Sequence, residues 1–177
     1  MYKITKLMQS GQRLFHTQDL AVLWGVEKRN SLYTTIRRYV EKGVLFPVFK
    51  GLYATVPVSE IGAEQIGMAV VHDYAYVSCE TVLAREGIIA QAVYPLTLVA
   101  GVSKRFKIKS MEFVVRRIKP EFLFNTAGMS EAGGVLAANK CRAVADILYF
   151  NSKYHFDAGN GLNWDEVKAI QKEVGYI

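Results

Sequence analysis

Arg29, Tyr33 and Arg37 recur at i, i+4 and i+8, with Asn30, Thr34 and Arg38 beside them. On a helix this spacing aligns guanidinium, phenol, amide and hydroxyl groups along one face. Such groups hydrogen-bond base edges and phosphates. No acid interrupts the run between Glu27 and Glu41. The chemistry predicted is the gripping of a polyanion. Arg29, Asn30, Tyr33, Thr34 and Arg37 are the candidates for base-edge or near-phosphate contact. Arg38 and Lys28 are phosphate candidates, and Lys50 joins them from a ribbon further on.

Residue types that break bonds are present but not assembled. His16, His72 and His155 are scattered and have no ligand-spaced neighbours, so they read as capping or surface residues and no metal is expected. Ser78 precedes Glu80 and Thr81, a spacing that suits a helix cap better than an activated nucleophile. Gly159 to Gly161 lacks the phosphate-cradle pattern. Lys140 and Asp146, six apart, fall on different helix faces and form no local pair. Cys79 and Cys141 show no metal spacing and read as reduced, buried thiols. No cofactor is expected, and the chain does not read as an enzyme.

Two helices and a ribbon must position the basic face. Leu32, Ile36, Tyr39 and Val40 fall at i, i+4, i+7 and i+8, so the helix over 29–42 has an apolar stripe opposite its basic one. Before it, residues 17–24 form a helix with Thr17 as N-cap, Asp19 in the first turn, and Leu20, Leu23 and Trp24 as anchors. Gly25 supplies the turn. Two β-prone runs follow, 44–49 and 50–56. The order helix, helix, hairpin is that of a winged helix-turn-helix. A first helix over 2–10, with Ile4, Leu7 and Met8 inward, precedes it.

Charge concentrates in the same place. Residues 1–57 hold nine Lys/Arg against three Asp/Glu, net +6, while the remaining residues carry 13 of each sign. Local cationic excess drives binding to phosphates through counterion release. Lys104, Arg105, Lys107, Lys109, Arg116, Arg117 and Lys119 face Glu112 alone and form a second basic cluster. This cluster reads either as the solvated outside of a strand pair or as a second contact with DNA or another macromolecule.

With 177 residues, 51% hydrophobic and 12% aromatic, the chain has room for two small cores. No apolar run approaches a membrane span, and the N-terminus lacks a signal-peptide core, so a cytoplasmic location away from membranes is expected. Pro57 and Ser59 predict a boundary after residue 57. Beyond it the pattern predicts helices over 60–72, 78–86 with Ser78 as cap, 139–150 and 163–174, the last capped by Asn163. Strands are predicted near 74–77, 88–90, 93–100, 106–108, 111–118 and 121–124, and a loop over 128–134. The fold class expected is α+β. An N-terminal winged helix-turn-helix (1–57) precedes a mixed α/β domain (58–177) with an antiparallel-rich sheet and C-terminal helices.

Three stretches carry a family likeness: Phe49-Lys50-Gly51-Leu52-Tyr53; Tyr76-Val77-Ser78-Cys79-Glu80-Thr81-Val82-Leu83 followed by Gly87-Ile88-Ile89; and Lys140 to Tyr149. With the order of regions, they make the chain resemble the AbiEi-type antitoxins of type IV abortive-infection systems. In that family a Glu often precedes the Lys of the late helix; Asn139 stands there in this chain. The resemblance implies a repressor of its own operon that binds inverted repeats in double-stranded DNA. It also implies a C-terminal region that neutralises a nucleotidyltransferase-like toxin, usually without a stable complex. The alternative from the residues alone is a winged-helix protein-interaction module that does not bind DNA.

Overall fold

A computed structural model of the chain describes residues 2–90 and 95–177. They form a mixed α+β structure that divides into two compact units, Met1–Gly62 and Ala63–Ile177. The division falls beyond the one Pro57 and Ser59 suggest. The intervening residues are packed: a 3-10 turn, Val58–Glu60, buries Val58, and Ile61 after it is buried too.

The first unit runs α1 (Lys3–Gln9), β1 (Leu14–His16), α2 (Thr17–Trp24), α3 (Arg29–Glu41), β2 (Phe46–Phe49) and β3 (Leu52–Ala54). Its strands pair antiparallel in the order β1-β3-β2. Leu7, Phe15, Leu20, Trp24, Leu32, Ile36, Tyr39 and Leu45 form one buried cluster. Burying each large side chain contributes about 1.5–3 kcal/mol, so the stripe on α3 fixes which face of that helix stays outside. In α1 only Leu7 points inward; Ile4 and Met8 are exposed. Polar ties hold this short helix along α2 instead, with Lys6 Nζ donating to the Leu23 carbonyl at 3.0 Å and Trp24 Nε1 to that of Lys3 at 3.2 Å.

The expected cap of α2 moves by one residue. His16 holds the N-cap position, and its N–H donates to Asp19 Oδ2 at 2.7 Å. Thr17 is turned to another use. Its N–H and its hydroxyl both donate to the Gly51 carbonyl, at 2.9 and 3.2 Å. Gly51, at φ +72°, occupies a conformation that disfavours a side chain.

The second unit comprises α4 (Ala63–Val71), β4 (Ala75–Val77), α5 (Glu80–Arg85), β5 (Leu96–Ala100), β6 (Lys104–Ile108), β7 (Met111–Arg117), α6 (Pro120–Leu123), β8 (Met129–Ala132), β9 (Val135–Ala138), α7 (Lys140–Phe150) and α8 (Trp164–Val174). Its sheet has the order β6-β7-β5-β4-β9-β8. The pairs β5–β7 and β4–β9 are parallel and the other three antiparallel. Successive residues of β4 point to opposite faces. On the Val77 side α4 packs close, and a Cβ on Gly67 would come within 2.9 Å of the Phe113 ring. On the Tyr76 side lies α7, whose Arg142 reaches the Tyr76 phenol.

Several local expectations change here. Residues 121–124 lie in and just after a helical turn, because Pro120 at its first position suits a helix start and not a ladder. The stretch 128–134 contains strand β8, paired with β9. Residues 88–90 form no strand, although Ile88 and Ile89 are buried. The strand expected over 93–100 starts at Leu96, and Val93 and Tyr94 lie outside the described residues. Cys79, at φ +54°, takes the N-cap position of α5 that Ser78 was expected to fill. The Ser78 hydroxyl instead donates to Asp146 Oδ2 at 2.7 Å.

Candidate nucleic-acid interface

The sequence of α3 alternates what the core needs with what a polyanion needs. Leu32, Thr35, Ile36 and Tyr39 are buried, while Arg29, Asn30, Tyr33, Thr34, Arg37 and Arg38 are exposed, as is Lys28 at the N-cap. The face is ordered by local contacts. The Arg29 guanidinium lies over the Tyr33 ring at 5.6 Å, and that of Arg38 over Tyr39 at 5.7 Å. Thr34 Oγ1 donates to the Asn30 backbone carbonyl at 2.9 Å, and the Asn30 side chain is exposed. Arg37 Nε meets Glu41 Oε1 at 2.9 Å, in a pair whose side chains are 83% and 61% exposed. Exposed pairs of this kind are worth little, so Arg37 can exchange Glu41 for another anion at low cost.

Helix α3 stands as a ridge between two grooves. One, of about 650 Å³, is lined by Thr17, Gln18, Val22, Gly25, Arg29 and Tyr33. The other, of about 510 Å³, lies between α3 and the β2–β3 hairpin and is lined by Tyr33, Arg37, Pro47, Phe49, Lys50 and Tyr53. Tyr33 borders both. The structure thus brings Lys50 together with Tyr33 and Arg37 in one groove, although a dozen or more residues separate it from them in sequence. The Tyr53 phenol there has its pKa raised by burial and by Tyr33 nearby, so it remains a neutral donor at ordinary pH. Thr17 and Gln18 were not foreseen as groove residues. They line the first of the two grooves, on the α2 side of α3.

The second basic cluster disperses. Arg116 is half-buried, ion-paired to the buried Glu80, and lies over the Phe150 ring at 5.4 Å. Lys107 pairs with Glu112 at 3.1 Å and Lys119 with Glu121 at 3.7 Å. Lys104 Nζ donates to the Val70 carbonyl at 3.3 Å. Arg105, Lys109 and Arg117 are exposed and have no acid within ion-pair distance among the described residues.

A charged group that the sequence pattern passed over lies inside the second unit. Arg142 and Asp146 are both fully buried and meet at 2.8 Å. Arg142 Nη1 donates to the carbonyls of Asn125 and Ala127, and Nη2 to the Tyr76 phenol at 3.1 Å. Asp146 accepts from Ser78 and from the Tyr176 hydroxyl. Burial works against the Arg142 charge, but Asp146 and the two phenols outweigh it and hold its pKa above the ordinary value. Burial first, then the Asp146 charge, pushes the pKa values of Tyr76 and Tyr176 up. Every buried side-chain polar atom among the described residues has a partner. The group is satisfied by its own neighbours and ties α7 to β4 and to the 125–127 segment. Its signal was present: a helix apolar nearly all round, from Cys141 to Ile147, must bury whatever charges it carries. Cys79 and Cys141 are free and buried, and burial raises both thiols away from reactivity. No cluster of metal-ligating side chains occurs among the described residues.

No protein-family model matches the chain, and no curated protein matches it. Its fold is similar to that of the RV2827C protein from Mycobacterium tuberculosis. The crystal structure of that protein aligns with a TM-score of 0.57 over 98% of this chain and 73% of that one, at 13% identity. At that identity the likeness is one of fold. No helix among the described residues is long and apolar enough to cross a membrane.

Proposed function

We propose that the first unit is a winged helix-turn-helix that binds double-stranded DNA, with α3 in the major groove and the β2–β3 hairpin as the wing. The observation that carries this reading is the convergence of Tyr33 and Arg37 on α3 with Lys50 on the hairpin along one open groove. A major groove admits one helix, and a flanking cation on a hairpin meets the adjacent backbone. Arg29, Asn30, Tyr33, Thr34 and Arg37 face the bases, while Lys28, Arg38 and Lys50 face phosphates.

The larger role rests on the sequence resemblance. On that reading the protein is a cytoplasmic repressor of its own operon, and its second unit neutralises a nucleotidyltransferase-like toxin. Titration of its own promoter duplex by fluorescence anisotropy tests the first part. Tight binding that weakens steeply with salt supports it. Binding that barely changes between low and moderate salt means that phosphates are not the partner, and leaves the winged unit as a protein-docking module. A nucleotidyltransferase-like neighbouring gene, whose toxicity is relieved by the second unit, supports the antitoxin half.

A further inference from the structure

The strand order places β6 at one end of the six-stranded sheet, with β7 on one side and no strand on the other among the described residues. The β6–β7 hairpin turns through Lys109 and Ser110, and Ile108 and Met111 close it. In an antiparallel pair, bonded positions alternate with non-bonded ones, and a two-residue turn closes on a bonded pair. Phe106↔Phe113 and Lys104↔Val115 are then the further bonded positions, while Arg105↔Val114 and Lys107↔Glu112 are not. The backbone N–H and C=O groups of Arg105 and Lys107 consequently point away from the sheet. Neither residue makes a backbone hydrogen bond outside it among the described residues.

The two residues with open backbone groups also carry exposed cations on a single face. Arg105 has no acid partner among the described residues, and Lys107 shares Glu112 in a pair exposed by more than half on both sides. On the opposite face Phe106 and Ile108 are buried. A second copy of β6 would bring the same cations against these, so this edge repels its own kind, as edge charges commonly do. An acidic strand reverses the sign.

We propose that the β6 edge receives an extended acidic segment of a partner protein by strand addition. Acids at alternate positions lie beside Arg105 and Lys107, and apolar residues between them extend the Phe106–Ile108 face. Alternate side chains of a strand lie about 6.8 Å apart, which matches the spacing of the two cations. Main-chain hydrogen bonds supply affinity and the charge pattern supplies selection. This site lies on the second unit and is independent of the DNA-binding reading.

The test titrates isotope-labelled full-length protein with a short peptide alternating valine and glutamate. Saturable downfield shifts and slowed exchange of the Arg105 and Lys107 amide protons are expected. Arg105→Gln keeps the N–H and weakens binding modestly. Arg105→Pro removes an N–H that faces solvent, a position where an edge strand tolerates proline, and weakens binding at least about tenfold. If that variant unfolds, the same peptide N-methylated at alternate residues takes its place, and it must fail to bind the wild type. Three results overturn the proposal: absence of binding; equal binding of a peptide with its glutamates in one block; or shifts at these residues with a single-stranded oligonucleotide and none with the peptide, which would make the edge a nucleic-acid surface.

Discussion

Arg37–Glu41 in the first unit and Arg142–Asp146 in the second are the same pair on paper. Each is an arginine followed four residues later by an acid on one helix, and each brings Nε to a carboxylate oxygen within 2.9 Å. One stands almost wholly in water and the other is fully buried. In water the attraction is screened and each partner is replaceable, which leaves Arg37 available to an incoming ligand. In the core neither charge can be left alone, so Arg142 ties together α7, β4, the 122–127 segment and, through Asp146, the Tyr176 hydroxyl. Identical spacing thus yields a displaceable contact in one unit and a fixed joint in the other. What surrounds the helix decides which.

The sharpest way to break this comparison is to remove one member of the buried pair. Asp146→Ala leaves the Arg142 charge buried without its partner and is expected to cost about 3–5 kcal/mol in chemical denaturation. Replacing both by Arg142→Met with Asp146→Leu removes the lone charge but leaves Ser78, Tyr76, Tyr176 and the Asn125 and Ala127 carbonyls without these bonds, so only part of that loss is expected to be recovered. A single mutant as stable as wild type would show that the pair is solvated. Alkali probes the same joint. Tyr76 and Tyr176 keep their protons in the folded state above the usual phenol value of 10.0, whereas the unfolded chain loses them there. Stability is then fully present below pH 10 and falls as pH rises beyond it, with a shallower fall in Tyr176→Phe. A flat melting temperature from pH 9 to 11 would contradict this.

Truncation of the exposed arginine should act on binding alone. Arg37→Ala is expected to lose about 1–3 kcal/mol of operator affinity with unchanged thermal unfolding. Wild-type affinity in a gel-shift titration would remove Arg37 from the interface. A subtler effect is expected of Lys28→Ala or Arg38→Ala, each of which should weaken all duplexes alike and flatten the salt slope by about 1. The smallest change is that of Glu41→Ala. It frees the Arg37 guanidinium, changes stability by less than about 0.5 kcal/mol, and should tighten rather than weaken DNA binding.

How far each region was legible follows from the range of the forces that shape it. The two faces of α3 were readable because Leu32 and Ile36 against Arg29 and Arg37 repeat with the helical period, and local period is written in sequence. The α+β class was readable for the same reason. The pairing of β4 with β9 was not, since Val77 and Ala137 meet across sixty positions, and the glycines at 128, 133 and 134 made β8 look like a loop. Lys50 was placed in the ribbon, but its position in the same groove as Arg37 depends on the hairpin folding back along α3. Arg142 escaped notice because a charge at helical spacing is usually a solvated one. Only the apolar residues on every side of it say otherwise.

Thr17 gives both of its short-range donors to the carbonyl at the hairpin tip, and a side chain at Gly51 would press against the same hydroxyl, at 3.3 Å from a Cβ. The clasp is therefore shut before any ligand arrives. Two bonds to one carbonyl tie the hairpin tip to the head of α2 in the free chain. Association should proceed with little ordering of the chain, so its free energy should come chiefly from displaced ions and little from freezing a loose arm.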